Sequence, residues 1–193
     1  MLDNIELIKT LLKRENENEF YYIQIIQRKK DIEWFSGNNR PIKDYYIYSM
    51  EQLDKRYDEM KRLCEVFNAR AYIRLSRRNS EDIARDIIVV IWESFRNRSY
   101  NHLRKIYSTV VWQSVWLDKI WIVDIDGQFS PTWLSTMTDV INWLSPIWDK
   151  IINILPTRNW CHIITKPFDL SKYSAWFPKI DVHKNNPTVL YIP

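Results

Sequence analysis

Glycine is nearly missing from this chain. Two occur in 193 residues, Gly37 and Gly127, and that scarcity excludes every mechanism needing glycines at fixed spacing. Neither a GxGxxG dinucleotide loop nor a Walker-type P-loop can be written, nor a GxSxG nucleophile elbow. Any bound phosphate must be held by side chains or ordinary helix ends. Cysteine is equally rare. Cys64 and Cys161 are too few for a disulfide scaffold or an all-cysteine zinc site, so a reducing, intracellular (cytoplasmic) compartment is expected. Long apolar runs are also lacking: charged residues interrupt every stretch of about 18, so neither a transmembrane helix nor a membrane partner is expected. The opening residues Met1–Glu6 are acidic and amphipathic, unlike a signal peptide. After Glu93 every carboxylate is an aspartate, which leaves a short list of acids for a site in the second half.

What remains is an ordinary globular composition. The chain is 46% apolar and 27% charged, and its length suits one domain. A net charge of +4 permits nucleic-acid binding without demanding it. Local clusters carry more information than the total: Arg28-Lys29-Lys30, and Arg70, Arg74, Arg77 and Arg78. Their plainest reading is a solvated charged face. Nine of the ten tryptophans lie after residue 91, where they serve packing or base stacking.

Hydrophobic periodicity predicts a mixed α/β or α+β chain. A short helix is expected over 3–14, a strand over 20–27, a loop over 31–43 and a second strand over 44–48. Ser49, with Gln52 at the capping-box position, starts a helix running to about residue 68. A strand follows over 71–75. Asn79 or Ser80 caps a helix carrying Ile83, Ile87, Ile88, Ile91 and Trp92, and 99–117 reads as helical. Residues 119–126 form a clear strand. Ser130-Pro131 opens a helix that Pro146 interrupts and that resumes to about residue 154. Short strands are expected over 160–166 and 188–192.

Three segments near the C-terminus carry the chemistry. Asp124 and Asp126 close an apolar strand, and residues two apart on a strand share a face. Two carboxylates so placed repel unless a cation or proton intervenes, and the spacing suits metal binding, although a strand ending in a polar turn has the same look. His162, Ile164 and Lys166 share a face of the later strand, where a histidine and a lysine suit a triphosphate. Asp181 follows Ile180 and precedes a turn-rich stretch and the last strand.

In this order the motifs resemble those of the archaeo-eukaryotic primase superfamily, particularly its primase-polymerase branch. Trp121-Ile-Val-Asp124-Ile-Asp126-Gly127 resembles the first motif, Trp160-Cys161-His162 occupies the second, and Ile180-Asp181 resembles the third. The resemblance covers about 119–193. Trp160 stands two residues before the histidine, where that family carries serine or glycine. The resemblance implies one domain, 1–193, with a primase-polymerase-like (RRM-like) catalytic sheet flanked by helices. Residues 119–193 would be its motif-bearing core and 1–118 an N-terminal αβ module. It implies that Asp124, Asp126 and Asp181 hold two Mg²⁺ or Mn²⁺ ions, and that His162, helped by Lys166, binds nucleotide phosphates. Arg74, Arg77 and Arg78 become candidates for nucleic-acid binding. The implied function is a DNA primase-polymerase, a nucleotidyltransferase of DNA replication. Its partners would be nucleoside triphosphates, single-stranded or primed nucleic acid, and a helicase or other replication protein. The alternative is a non-catalytic nucleotide- or nucleic-acid-binding module of the same fold, acting as accessory factor or inhibitor. A phosphoesterase is a third class, on His162-Ile163-Ile164-Thr165, but a second such tetrad is missing.

Overall fold

The computed structural model describes residues 1–13, 15–31, 38–101, 103–114, 117–127 and 130–193. Gly37 and part of the expected 31–43 loop lie outside them. Two antiparallel sheets organise the described chain. The first contains β1 (Leu2–Asp3), β2 (Glu19–Gln27), β3 (Arg40–Ile47), β4 (Arg70–Asn79) and β9 (Thr188–Ile192), in the order β1-β9-β4-β2-β3. The second contains β5 (Trp121–Asp126), β6 (Ile151–Pro156), β7 (Trp160–Thr165) and β8 (Asp181–His183), in the order β6-β7-β5-β8. The helices are α1 (Ile5–Leu11), α2 (Met50–Val66), α3 (Ser80–Arg96), α4 (Ile106–Gln113), α5 (Pro131–Trp143) and α6 (Leu170–Trp176). The fold is a single-domain α+β arrangement.

Side-chain alternation shows why these segments are strands. In β2, Tyr21, Ile23 and Ile25 enter a core shared with α1 and α2, while Phe20 and Tyr22 face α3 and α4. Both faces are covered, so the strand reads as a continuous apolar run without polar alternation. In the second sheet Ile122 and Ile164 join the core of the first sheet, whereas Val123, Ile125 and Ile163 pack on Met137 and Ile141 of α5 and Tyr173 of α6. One apolar cluster therefore spans both sheets. The last strand, β9, returns to the first sheet between β1 and β4, so the two halves of the chain share a sheet.

Helix starts follow the sequence closely. Ser49 Oγ accepts from Gln52 N at 3.1 Å, and Gln52 Oε1 accepts from Tyr48 N at 2.8 Å, a capping-box exchange moved back by one residue. Asn79 Oδ1 accepts from Glu81 N, and Ser130 Oγ from Trp133 N.

Several boundaries differ from expectation. β3 begins at Arg40 inside the expected loop, because pairing with β2 extends to Gln27 across a register shift that accommodates Pro41. β4 runs four residues past Leu75, continuing its pairing with β2 as far as Asn79 opposite Glu19. α5 ends at Trp143 and does not resume after Pro146; residues 151–156 are strand β6. The buried Lys150 ammonium fixes that end, donating to the carbonyls of Ile141, Asn142 and Trp148 at 2.8–3.2 Å. These include carbonyls that the last turn of α5 leaves without helical partners. Burial lowers the pKa of this lysine. In the 99–117 segment the α-helix spans only Ile106–Gln113, with residues 102, 115 and 116 outside the description.

Candidate functional site

β5 is an interior strand of the second sheet, and Asp124 lies in its middle. Its register partner on β7 is His162 and on β8 is Asp181. Three segments distant in sequence are thus brought into one row. His162 Nε2 lies 3.2 Å from Asp124 Oδ1, and its Nδ1 lies 2.8 Å from the hydroxyl of Thr188, the first residue of β9. The arrangement assigns the proton of a neutral imidazole to Nε2, donating to Asp124, while Nδ1 accepts from Thr188. The histidine is thereby fastened between the two sheets. His183 Nε2 approaches the other carboxylate oxygen at 3.7 Å.

These neighbours set the charge of Asp124. The hydrogen bond from His162 holds its carboxyl below the usual carboxylate range, against the opposing effect of burial; the charges of His162, His183 and Lys30 act in the same direction as the hydrogen bond. A depressed folded-state pKa contributes stability that is present above the ordinary aspartate value. That stability is lost as pH falls through the lower folded value. In a His162→Ala variant the Asp124 carboxyl resonance should titrate at higher pH than in the native protein. An unmoved midpoint would show that the histidine does not hold the carboxylate.

Around this row lies a cleft of about 470 Å³ between the sheets. Asp124, Asp126, His162 and His183 line it from the second sheet. Arg28, Lys30, Arg70 and Tyr72 line it from the first sheet and its margin, and Thr157, Arg158 and Asn159 from the β6–β7 turn. Arg28 donates to the Tyr72 hydroxyl at 3.0 Å, and Asn159 Nδ2 donates to Asp126 Oδ1 at 3.1 Å. Arg70 pairs with Asp31, which Arg158 approaches at 3.7 Å. With Arg70 paired to Asp31, the cations Arg28, Lys30 and Arg158 face the carboxylates of Asp124 and Asp126, a balance suited to an anion that also carries or recruits a cation.

The predicted site residues separate into those the fold gathers and those it does not. Asp124, Asp126 and His162 line the cleft together. Asp181, though opposite Asp124 in register, is exposed on the edge strand β8 and outside the cleft lining; His183, two residues on, occupies the lining instead. Lys166 follows the end of β7, is exposed, and donates its backbone N–H to Lys150. It lies apart from the cleft and from His162. Trp160 packs on Trp133 of α5, ring centroids 6.0 Å apart, so its bulk is taken up on the helical side of the second sheet.

The four arginines of β4, Arg70 and the candidates Arg74, Arg77 and Arg78, are buried, contrary to a solvated face. Arg77 is ion-paired with Asp118 at 2.8 Å, Glu19 at 2.9 Å and Glu15 at 3.3 Å, and the Asp118 hydrogen bond raises its pKa. Arg78 donates to the Val111 carbonyl at 3.2 Å. Arg74 donates to the Asn185 carbonyl at 2.6 Å and stacks on Trp112 at 3.6 Å. Burial pushes Arg74 and Arg78 down to about 10, leaving both charged at neutral pH. Of Arg74, Arg77 and Arg78, Arg74 is the one that approaches the cleft, through Trp112, which lines it.

Sequence reasoning passed over His183, Arg158 and the individual roles of Arg28 and Lys30. The Arg28-Lys29-Lys30 cluster was the available signal. No periodicity marks His183, because β8 is only three residues long.

Among the described residues no group of three or more His, Cys, Asp or Glu side chains is placed to hold a metal ion, and no helix is long and apolar enough to cross a membrane. No family model, curated protein or solved structure matches the chain.

Proposed function

We propose that the cleft is the active site of a metal-dependent nucleotidyltransferase of the primase-polymerase type, joining nucleotides to a 3′-hydroxyl on a nucleic-acid template. One observation carries the reading: Asp124, in register with His162 and Asp181, faces a cleft walled by Arg28, Lys30, Arg70 and Arg158. A helicase or another replication protein would supply the template.

Mg²⁺ and Mn²⁺ suit this donor set. Mg²⁺ in phosphoryl-transfer sites is held by one or two carboxylates together with substrate phosphates, rather than by an all-protein cage. Asp124 and Asp126 provide two hard oxygen ligands on the cleft side of β5, and Asp181 is the candidate third from the neighbouring strand. When bound, such ions stabilise the charge of the phosphoryl transition state and lower the pKa of the attacking hydroxyl. The chain's own groups do the rest. Arg28, Lys30 and Arg158 neutralise phosphate charge, and His162, locked by Thr188, holds the Asp124 carboxylate in place through its Nε2–H. Trp112, with one face on Arg74, presents exposed aromatic surface on which a base can stack. The 3′-hydroxyl gives up its proton to water as its oxygen attacks the α-phosphorus, the bond to the β-phosphate oxygen breaks, and pyrophosphate leaves.

A second reading, a nucleotide-binding module without catalysis, is favoured by the exposed position of Asp181 and by the two histidines beside Asp124. Both readings require nucleotide binding here. In calorimetric titration with a Mg²⁺–nucleoside triphosphate, His162→Ala and Lys30→Ala should each weaken affinity by about tenfold, the value of one charge-assisted hydrogen bond. Unchanged affinity in both variants would remove the nucleotide from this cleft.

A further inference from the structure

A second cavity, of about 530 Å³, adjoins the candidate cleft. The two share Arg70, Thr157 and Arg158 as walls and meet at those residues. Beyond them the second cavity is lined by Asp31 and Asn68, and by Leu2 of β1 and Ile192 of β9, which are register partners. Its wall is therefore part polar and part apolar, the mixture found in pockets that hold an organic ligand by a few oriented polar groups.

Asp31 sets the first condition on that ligand. Its side chain is only 9% exposed. Oδ1 accepts from Arg70 Nη2, and Arg158 Nη1 stands 3.7 Å from the same oxygen. Oδ2 is buried and has no hydrogen-bond partner among the described residues. A buried carboxylate oxygen without a donor is costly, so the group that relieves it must bring an N–H or O–H. Arg158 sets the second condition. Its side chain is 67% exposed, and 3.7 Å is too long for a hydrogen bond, so its guanidinium is available to an anionic acceptor. Two guanidiniums beside one carboxylate disfavour a cationic ligand. A nucleotide unit meets both conditions: its base and sugar carry N–H and O–H donors, and its phosphate is the anion.

We infer that the second cavity takes the neighbouring nucleotide of a strand whose first unit occupies the cleft, with the phosphodiester between them at Arg158 and a base or sugar donor on Asp31 Oδ2. The inference rests on the nucleotide reading of the cleft and adds that the ligand spans two units.

Calorimetric titration with 5′-phosphorylated oligothymidylates of one, two and three units, in the presence of Mg²⁺, reads the extent of the site. The second unit should tighten binding at least about tenfold, the worth of one charge-assisted hydrogen bond. The third should add less than about threefold, as a phosphate contact outside both cavities. Leu2 lines the second cavity and lies outside the cleft lining. Leu2→Trp should therefore fill the second cavity, abolishing the gain from the second unit while leaving affinity for the single unit unchanged. Asp31→Asn keeps an oxygen for Arg70 and replaces the unpaired oxygen with a donor, so it too should lose the gain. A two-unit ligand that binds no tighter than the single unit, or a gain that survives Leu2→Trp, would overturn the inference while leaving the cleft as a nucleotide site. A gain that survives Asp31→Asn would overturn the contact at Oδ2. A single unit that does not bind at all would overturn the nucleotide reading of the cleft, and the inference with it.

Discussion

Replacing Asp124 with asparagine should reduce primer extension by at least about 10³-fold, the scale on which loss of a key transition-state charge is felt. The fold should survive the change. Asparagine keeps the shape of the side chain and a carbonyl oxygen for His162 Nε2, now at 3.2 Å. Asp124 lies on an interior strand, but its side chain is still 31% exposed to the cleft. The cost in stability should therefore be about 1 kcal/mol, the worth of exchanging a charged for a neutral hydrogen bond. Activity and the urea midpoint measured on one preparation separate the two effects. An Asp124→Asn protein with near-native extension would remove Asp124 from the chemistry. One that loses activity because it is unfolded would make Asp124 a structural residue.

The second large effect is on stability and lies away from the cleft. Arg77→Met should cost about 3–5 kcal/mol, the usual penalty for removing one partner of a buried ion pair. Arg77 makes a forked contact with Asp118, Nε to Oδ2 and Nη2 to Oδ1, both at 2.8 Å, and donates to Glu19 Oε2 at 2.9 Å. The Glu19 side chain is only 6% exposed, so its charge would be left without a buried cation. Methionine fills much of the volume and satisfies none of these acceptors. For a chain of this length the melting temperature should fall by about 10 °C. If Arg77 instead served nucleic acid, the variant would melt normally. Its affinity for single strands would fall, with a salt slope shallower by about one contact.

Much of the fold was legible because local rules and tertiary packing agree. The caps at Ser49, Asn79 and Ser130 each lie where the sequence places them. The apolar strands β2, β5 and β7 are recognisable because packing on both faces removes polar alternation from most of their length. Failures arose where an element depends on a distant partner. β3 extends through Pro41 only because β2 continues beside it. β6 was read as resumed helix because Ile151, Ile152, Ile154 and Leu155 also fit a helical spacing, and the choice is made by pairing with β7.

The candidate site divides in the same way. Asp124 and Asp126 could be placed on one face from strand geometry alone, and His162 from its own strand. That Asp124 and His162 are register partners depends on pairing, which no spacing reveals. Lys166 was assigned to the face of His162 by alternation, but β7 ends at Thr165 and the alternation ends with it. The arginines of β4 show the limit of charge counting. A run of cations reads as solvated until the fold brings in the acids that meet Arg70 and Arg77 and the carbonyls that meet Arg74 and Arg78.

The most direct test of the account is the extension reaction itself, run with the native chain on primed and unprimed single-stranded templates, with labelled nucleotides and Mg²⁺ or Mn²⁺. Products that require the metal, and that Asp124→Asn does not make, are the predicted result, and the unprimed lane reports whether synthesis starts without a primer. Metal-dependent nucleotide binding in the cleft with no product in any lane would contradict the catalytic reading.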